Sequence, residues 1–384
     1  MTDRKLAILA VTAVIMAGWA VLQNRLSHRS DTTASMVRTP LIQGLDPQAV
    51  AKITITSDKG KSTVTLTRVN DRFTVAEMDG YPADISAVNR LLSNCLDVRT
   101  AEHITSNPEN HTGLGVTEET AQYVVRFFNA DGDEITGIIV SETPPDREEG
   151  AFARLTTSDE TYFIQDPPWL STTASAYVNT TLIEADSAKI RRVAVRGPEG
   201  EYVLKLADDA QTIMLEKMPE NKQFKGTAYR SVFRALTSLR FEEAIAAENA
   251  PQDLVFDRSY ICRLDDSTVY TLKLAKQGDK TYATVTADFL DKAPVQISKE
   301  ESEEELKKKE AKLLAMDAAE AFAQRHKGWV YTISSWKAAD LTKPLEELLE
   351  PKPEEKAPAE TEPEPGAEAP AEVNAEGQNL PSAL

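Results

Sequence analysis

An internal repeat constrains the fold more than any other feature of this sequence. The segments that start at Leu41 and Leu182 both open with Leu-Ile and continue as strand, glycine-containing turn, strand, turn and strand. One amphipathic segment and further alternating strands follow in each. Period-two alternation predicts half-buried strands, and apolar spacing of three to four residues predicts a helix. We therefore expect an α+β fold of two tandem repeats, each an antiparallel sheet with one main helix, after an N-terminal transmembrane helix.

The predicted helix of each repeat has one apolar face. Asp84 and Thr227 stand at the expected N-caps, where a short polar side chain accepts a hydrogen bond from the first helical turn. The predicted buried stripes are Val88, Leu91, Leu92 and Cys95 in the first copy and Val232, Leu236 and Leu239 in the second.

The strands after each helix can also be aligned. The sequence pairs Tyr123 with Tyr260 and Arg126 with Arg263. These pairs set the expected correspondence between the two sheets.

The chain divides into an N-terminal segment, two repeats and a tail. The tail is rich in Pro, Glu and Ala, and we expect it to be disordered because it cannot bury enough apolar surface to offset its ordering entropy. The predicted boundaries are a cytoplasmic N-terminus 1–5, a transmembrane anchor 6–22, a tether 23–40, a first α+β repeat 41–180, a second α+β repeat 181–345 with a charged helical insertion 288–327, and a tail 351–384.

The anchor prediction rests on an uncharged apolar run from Leu6 to Leu22. Its length is at the short end for a membrane span and long for the core of a signal peptide. Removal of the segment by cleavage stays open as an alternative. An N-terminal anchor before one large hydrophilic region favours a single-pass protein of the cell inner membrane, with the bulk of the chain extracytoplasmic or periplasmic.

Charge and motif spacing argue against nucleic acid and nucleotide as partners. The formal net charge is −18 and the pI is near 4.8, which disfavours binding to phosphate backbones. The stretch from Gly60 to Thr63 resembles the end of a P-loop, but Ile55 stands where that motif needs its first glycine. Alternating residues flank Asp58 to Lys61, which predicts a hairpin turn.

No catalytic, cofactor-binding or metal site is predicted, and no cofactor. Cys95 and Cys262 lie in apolar patterns and are expected to be buried thiols, with a disulfide between them as the alternative. The candidates for an enzyme or a metal site are His103 and His111, with Glu102 or Glu109. These two loop histidines are expected to be exposed to solvent rather than to form such a site, while His28 lies in the tether and His326 in the insertion.

Three other features have a plain structural interpretation. Asn129 to Glu134 suggests a calcium loop but fits a hairpin turn better. The loop with Asp146, Glu148 and Glu149 is expected to be a solvated turn, with a weak cation site as the alternative. Trp169 and Trp336 are interpreted as core residues that close each repeat, with surface aromatics that hold a sugar or a partner as the alternative.

The insertion is predicted to form an exposed helix. Ser302 and Glu305 make a capping box, and Glu303–Lys307 and Glu305–Lys309 have the i,i+4 spacing of stabilising ion pairs. Two interpretations stay open: a solvated helix packed lightly on its domain, and a helix that binds a partner.

Three segments together resemble the domain-of-unknown-function family 4340. They are the strand Val50 to Ile55, the helix from Pro82 to Leu96, and Gly113-Leu114. The chain departs from the family pattern at Phe73, where tryptophan is frequent, and at Gly226 to Ala228, where the second copy lacks the Pro-Ala-Asp helix start.

The resemblance implies a bacterial envelope protein encoded beside ABC transporters of the gliding-motility type. Together with the anchor, it makes the leading expectation a non-enzymatic accessory or scaffold subunit, with the inner membrane and ABC transporter subunits as partners. The alternative is an extracytoplasmic binding module for a glycan or peptide ligand.

Overall fold

The computed structural model describes residues 38–209, 211–296 and 301–352. The predicted anchor 6–22, almost all of the tether and residues 353–384 of the predicted tail lie outside these ranges. No helix within them is long and apolar enough to cross a bilayer. Antiparallel sheets and helices make up the described chain, so the α+β prediction is confirmed.

The first half forms one nine-stranded antiparallel sheet with the order β4-β3-β2-β1-β6-β7-β8-β9-β5. Its strands are β1 (Lys52–Ser57), β2 (Ser62–Val69), β3 (Arg72–Val75), β4 (Tyr81–Pro82), β5 (Glu102–Thr105), β6 (Tyr123–Phe128), β7 (Glu134–Val140), β8 (Ala151–Leu155) and β9 (Thr161–Ile164).

The second half forms an eight-stranded antiparallel sheet with the order β13-β12-β11-β17-β18-β19-β20-β16, and the pairs β10–β15 and β14–β21 lie beside it. Its strands are β10 (Thr181–Ile183), β11 (Ile190–Gly197), β12 (Gly200–Leu206), β13 (Ile213–Leu215), β14 (Lys222–Phe224), β15 (Leu239–Arg240), β16 (Glu243–Ala246), β17 (Arg258–Leu264), β18 (Thr268–Gln277), β19 (Lys280–Phe289), β20 (Trp329–Ile333) and β21 (Leu349–Pro351).

The two large sheets have the same strand order once the short β4 is set aside. An isolated bridge between Pro40 and Arg99 in the first half also has a counterpart between Thr181 and Arg240 in the second. This is the arrangement that a duplicated chain predicts. The turn at Asp58–Gly60 joins β1 to β2, as expected for a hairpin.

Five α-helices lie in the described residues: α1 (Ile85–Leu96), α2 (Ala228–Phe233), α3 (Glu303–His326), α4 (Ser335–Thr342) and α5 (Leu345–Leu348). The two predicted stripes are buried, and Asp84 caps α1 by accepting a hydrogen bond from the backbone of Ser86.

The main helix of the second copy is shorter than predicted. It stops at Phe233 and continues as a 3-10 turn, and Thr227 makes no capping hydrogen bond. The hydroxyls of Ser231 and Thr237 each donate to a backbone carbonyl three residues earlier. Such bonds compete with the helical pattern, which explains why this segment breaks while the leucine-rich α1 does not.

The predicted insertion forms α3, with the Ser302–Glu305 capping box in place. Its C-terminal part packs on the domain through Ala315, Ala319 and Phe322 against β18 and β19. Nearer its start, Lys312 donates to the carbonyl of Ala293 at 2.8 Å. Lys309 pairs with Glu301 rather than with Glu305. The structure thus favours light packing of this helix.

An aromatic junction joins the two halves, and Tyr81 of β4 is at its centre. The Tyr81 ring lies 5.3 Å from the ring of Phe241, 4.9 Å from that of Trp329 and 6.1 Å from that of Tyr331, all in the second half. The Tyr331 hydroxyl is 2.7 Å from Nδ1 of His326. His326 is buried there, although it lies at the end of a charged insertion.

Burial, with a smaller contribution from Arg325, lowers the pKa of His326 to about 4. Because the unfolded chain protonates this group near pH 6.5, the free energy of unfolding should fall as the pH drops from about 6.5 to about 4, by up to about 3 kcal/mol. His326→Gln should flatten this slope in urea unfolding measured across that range. An unchanged slope would show that another group causes the acid sensitivity.

Cys95 and Cys262 are free and buried, as predicted. Burial raises the pKa of both thiols to about 12, so almost no thiolate is present at neutral pH. We expect neither thiol to react with Ellman's reagent in the native protein, and both to react in denaturant. Rapid native reaction of either thiol would contradict this burial.

Candidate functional site

The structure does not combine the two candidate histidines into one site. Nε2 of His103 contacts the Glu160 carboxylate, and Nε2 of His111 lies 3.0 Å from the backbone oxygen of Asp159. His111 is buried rather than exposed, which corrects the prediction for that residue. In the described ranges, no group of three or more His, Cys, Asp or Glu side chains could hold a metal ion.

The carboxylates proposed beside these histidines have structural roles. Glu102 pairs with Arg147 at 3.2 Å, and Glu109 lies in a short 3-10 turn capped by Asn107. Asn129 to Glu134 is the turn between β6 and β7, and the Asn129 side chain accepts a hydrogen bond from the Asp133 backbone. The hairpin-turn prediction is therefore confirmed. The solvated-turn prediction is confirmed as well, because Asp146, Glu148 and Glu149 are exposed.

The interpretation of the two tryptophans as core residues is wrong. Trp169 is 63% exposed and Trp336 is 66% exposed. Trp169 follows two prolines after β9, and Trp336 lies in the first turn of α4, beyond the end of β20. The strands themselves end in buried Ile164 and Ile333, which close the core instead.

The outer face of the second sheet carries a row of cations. Strand alternation turns Val193, Leu204 and Cys262 into the core, so their neighbours Arg192, Lys205 and Arg263 point outward. Arg192 lies directly opposite Lys205 on one side and Arg263 on the other. We call this row of three cations the basic row.

The basic row borders a concavity of about 640 Å³. Its lining includes two further cations, Arg196 and Lys217. Between the cations lie Ala194, Ile261 and Val269, which form an apolar floor. The concavity therefore offers positive charge and an apolar surface together, in a chain whose net charge is −18.

The cations of this surface are only partly neutralised. Arg192 pairs with Glu216 at 2.8 Å, and Arg196 pairs with Glu201 at 3.1 Å. Within the part of the chain that the structure describes, Lys205 and Arg263 have no ion-pair partner. Like charges directly opposite on neighbouring strands are destabilising. An anion bound across the row would remove this repulsion.

The first sheet provides an internal comparison. Lys52 of β1 occupies the place of Arg192, and it lies opposite Thr67 and Phe128 instead of two cations. The Lys52 ammonium lies 5.1 Å from the centre of the Phe128 ring. The basic row is therefore present in the second copy and absent from the first.

This register corrects the sequence alignment by two residues. The residue equivalent to Arg263 is Phe128 and not Arg126, and the residue equivalent to Tyr260 is Val125 and not Tyr123. Arg126 instead pairs with Glu118 and Glu134. With the sequence alignment shifted by two residues, Arg263 is paired with another arginine, and the sequence does not show that the outer faces differ in charge.

The outer face of the first sheet is also covered along β6 and β7. Val116 and Ala121 of the preceding loop pack on Val124 and Ile139. Arg154 holds this loop, because its Nε donates to the Val116 carbonyl at 2.8 Å. At the equivalent place the second sheet has Ser259 opposite Lys273. The apolar floor at Ile261 and Val269 lies further along the same two strands.

A second concavity, of about 580 Å³, lies between the halves and is lined by acidic side chains. Most of these carboxylates serve the fold. Asp79 accepts from the backbone of Ala246, Glu77 accepts from the backbone of Thr65, and Glu243 pairs with Lys280. We therefore place the candidate site on the basic row.

The family model described as Domain of unknown function (DUF4340) matches residues 73–258, from β3 to the first residue of β17. Over that region the chain is similar to the DUF4340 family. The match includes Arg192 and Lys205, whereas Arg263 lies just beyond it. No curated protein and no solved structure matches the chain.

If the basic row costs stability, its removal should stabilise the fold. We expect Arg263→Phe, which installs the residue found at the equivalent place of the first sheet, to raise the free energy of unfolding by about 0.2–1 kcal/mol at low salt. The gain should shrink at about 0.5 M salt, because surface charges are then screened. Lys52→Phe is the control and should show no salt-dependent gain. Equal behaviour of the two variants in urea unfolding would contradict repulsion in the row.

Proposed function

We propose that this protein is a non-enzymatic, membrane-anchored accessory protein that binds an acidic segment of a partner protein on the basic row and its apolar floor. The observation that carries the proposal is the direct register of Arg192 with Lys205 and Arg263, which places three cations side by side without full neutralisation. A partner's carboxylates would supply the missing charge.

The dimensions of the surface suit an extended peptide. Neighbouring strands lie roughly 4.8 Å apart, so the three cations span about 10 Å. Arginine and lysine both bind carboxylates, and arginine can do so with two parallel hydrogen bonds. The apolar floor between them would accept aliphatic side chains of the same segment. This combination favours a peptide over a uniformly polar ligand.

The membrane and transporter parts of the proposal rest on the sequence. The apolar run 6–22 supports an anchor and an extracytoplasmic location for the two sheets. The resemblance to envelope proteins encoded beside ABC transporters supports transporter subunits as the partner. In this arrangement the anchor holds the protein at the inner membrane, and the basic row holds an acidic segment of the transport complex.

A glycan ligand is the second candidate, because a concavity with arginines also suits an acidic polysaccharide. The exposed Trp169 and Trp336, the rings most available for stacking on a sugar, are not part of the concavity lining. The only aromatic residue in that lining is Tyr202, which is buried. The peptide is therefore the better-supported ligand.

The test is a pull-down of the tagged full chain from solubilised membranes at native expression, with proteins and glycans quantified by mass spectrometry. We compare the native chain with Arg263→Glu and with Lys52→Glu. Both variants change the charge by the same amount, and Lys52 is an exposed cation of the first sheet at the place equivalent to Arg192. We expect transporter subunits in fixed proportion with the native chain and Lys52→Glu, and at least about a tenfold loss with Arg263→Glu.

Each other outcome has a definite meaning. Equal recovery of transporter subunits by Arg263→Glu would remove the basic row from the proposal. Recovery of the protein alone, with those subunits detected in the input, would overturn the accessory function. An acidic glycan recovered with the native chain and lost with Arg263→Glu would favour the second candidate.

A further inference from the structure

We propose that residues 353–384 of the same chain occupy the basic row until a partner displaces them. This inference rests on the proposed function, because it assigns an occupant to the same surface. The segment would act as an intramolecular competitor for acidic partner segments.

Charge complementarity supports this occupant. Residues 353–384 contain eight glutamates and one lysine. The concavity presents the cations Arg192, Arg196, Lys217 and Arg263 against two glutamates, Glu201 and Glu216, so its lining has a net positive charge. Proline and alanine separate many of these glutamates. Small aliphatic residues between carboxylates match an apolar floor between cations.

The point where the described chain ends also supports residues 353–384 as the occupant of the basic row. β21 pairs with β14, and the backbone N–H of Lys352 donates to the carbonyl of Asn221 at 2.9 Å. Lys217, which lines the concavity, lies four residues before Asn221. Four residues span at most about 14 Å, so residue 353 follows a point close to the rim of the concavity.

The connection from the fold to this segment is anchored beside the same surface. Leu345, at the start of α5, belongs to the lining of the concavity. From Lys352 onward, about ten residues in extended conformation reach roughly 33 Å, which is enough to cross the basic row.

Attachment to the same chain makes even weak binding effective. A segment on a short connection has an effective concentration in the millimolar range at its own site. A partner must therefore bind well enough to displace it, and a generic acidic protein would not. The competition is electrostatic, so added salt should weaken it.

The first experiment uses the full chain in detergent with a carbodiimide, which condenses a carboxylate with a lysine amine to an amide. At low salt we expect cross-links from glutamates 360–376 to Lys205 and Lys217 on monomeric protein, on the order of tenfold above those to Lys52, and their loss at about 0.5 M salt. Cross-links spread over lysines in proportion to exposure would overturn the inference. Cross-links confined to covalent dimers would also overturn it and would make a second copy the occupant.

The second experiment distinguishes failure of this inference from failure of the proposed function. A fluorescent peptide of residues 353–376 is titrated into the native full chain and into a full chain with all eight glutamates of 353–384 changed to glutamine. We expect the glutamine variant to bind the probe on the order of tenfold more tightly. Arg263→Glu in that variant should weaken binding by a similar factor, whereas Lys52→Glu should not.

Equal affinity of the two chains, with loss on Arg263→Glu, would reject the competitor and keep the basic row as an acidic-peptide site. Affinity for the probe that does not change with Arg263→Glu would reject both. Far-ultraviolet circular dichroism and the unfolding midpoint of each variant are measured beside the titrations. A loss of binding is therefore assigned to the substitution only where the variant is folded.

Discussion

The burial of Tyr81 among aromatic rings of the second half is the contact on which the relative placement of the two sheets depends. Tyr81 lies on β4, the one strand of the first sheet that has no counterpart in the second. Edge-to-face ring pairs contribute about 0.5–1.5 kcal/mol each beyond the area they bury. The three ring pairs of Tyr81 therefore join the halves more strongly than a polar contact such as Asp79 to the backbone of Ala246 would alone.

This junction also explains why α3 belongs to the fold despite its mostly exposed surface. Its last residue, His326, reaches the junction through Tyr331. Most of the charged residues of α3 lie in its N-terminal half, and its buried residues lie in its C-terminal half. Packing at the C-terminus fixes the helix, while the N-terminal part stays solvated with Leu306, Leu313 and Leu314 exposed.

The sequence predicts well those features that depend on local patterns. Period-two alternation located the strands around Ile53 and Val193, and Asp84 and Ser302 marked true helix starts. These signals are local because each is read from the spacing of apolar residues within one segment, and this spacing differs between strands and helices.

The predictions that failed depend on contacts between distant segments. The exposure of Trp169 is decided by where the chain goes after β9, and the buried His111 contacts the backbone of the distant Asp159. The basic row was missed for the same reason. Alternation alone puts Arg192, Lys205 and Arg263 on outward positions, but only the register between strands places them side by side.

The comparison between the two copies shows how one architecture can carry two different surfaces. In an antiparallel sheet the inward residues maintain the core, and the outward residues can change without altering the strand order. The outer face of the first sheet carries threonines, the contact between Lys52 and Phe128, and a covering loop. The second sheet places cations at the same positions, at a cost in repulsion that the Arg192–Glu216 ion pair relieves only in part. Because the same backbone arrangement holds both surfaces, the strand order of the fold does not require the basic row.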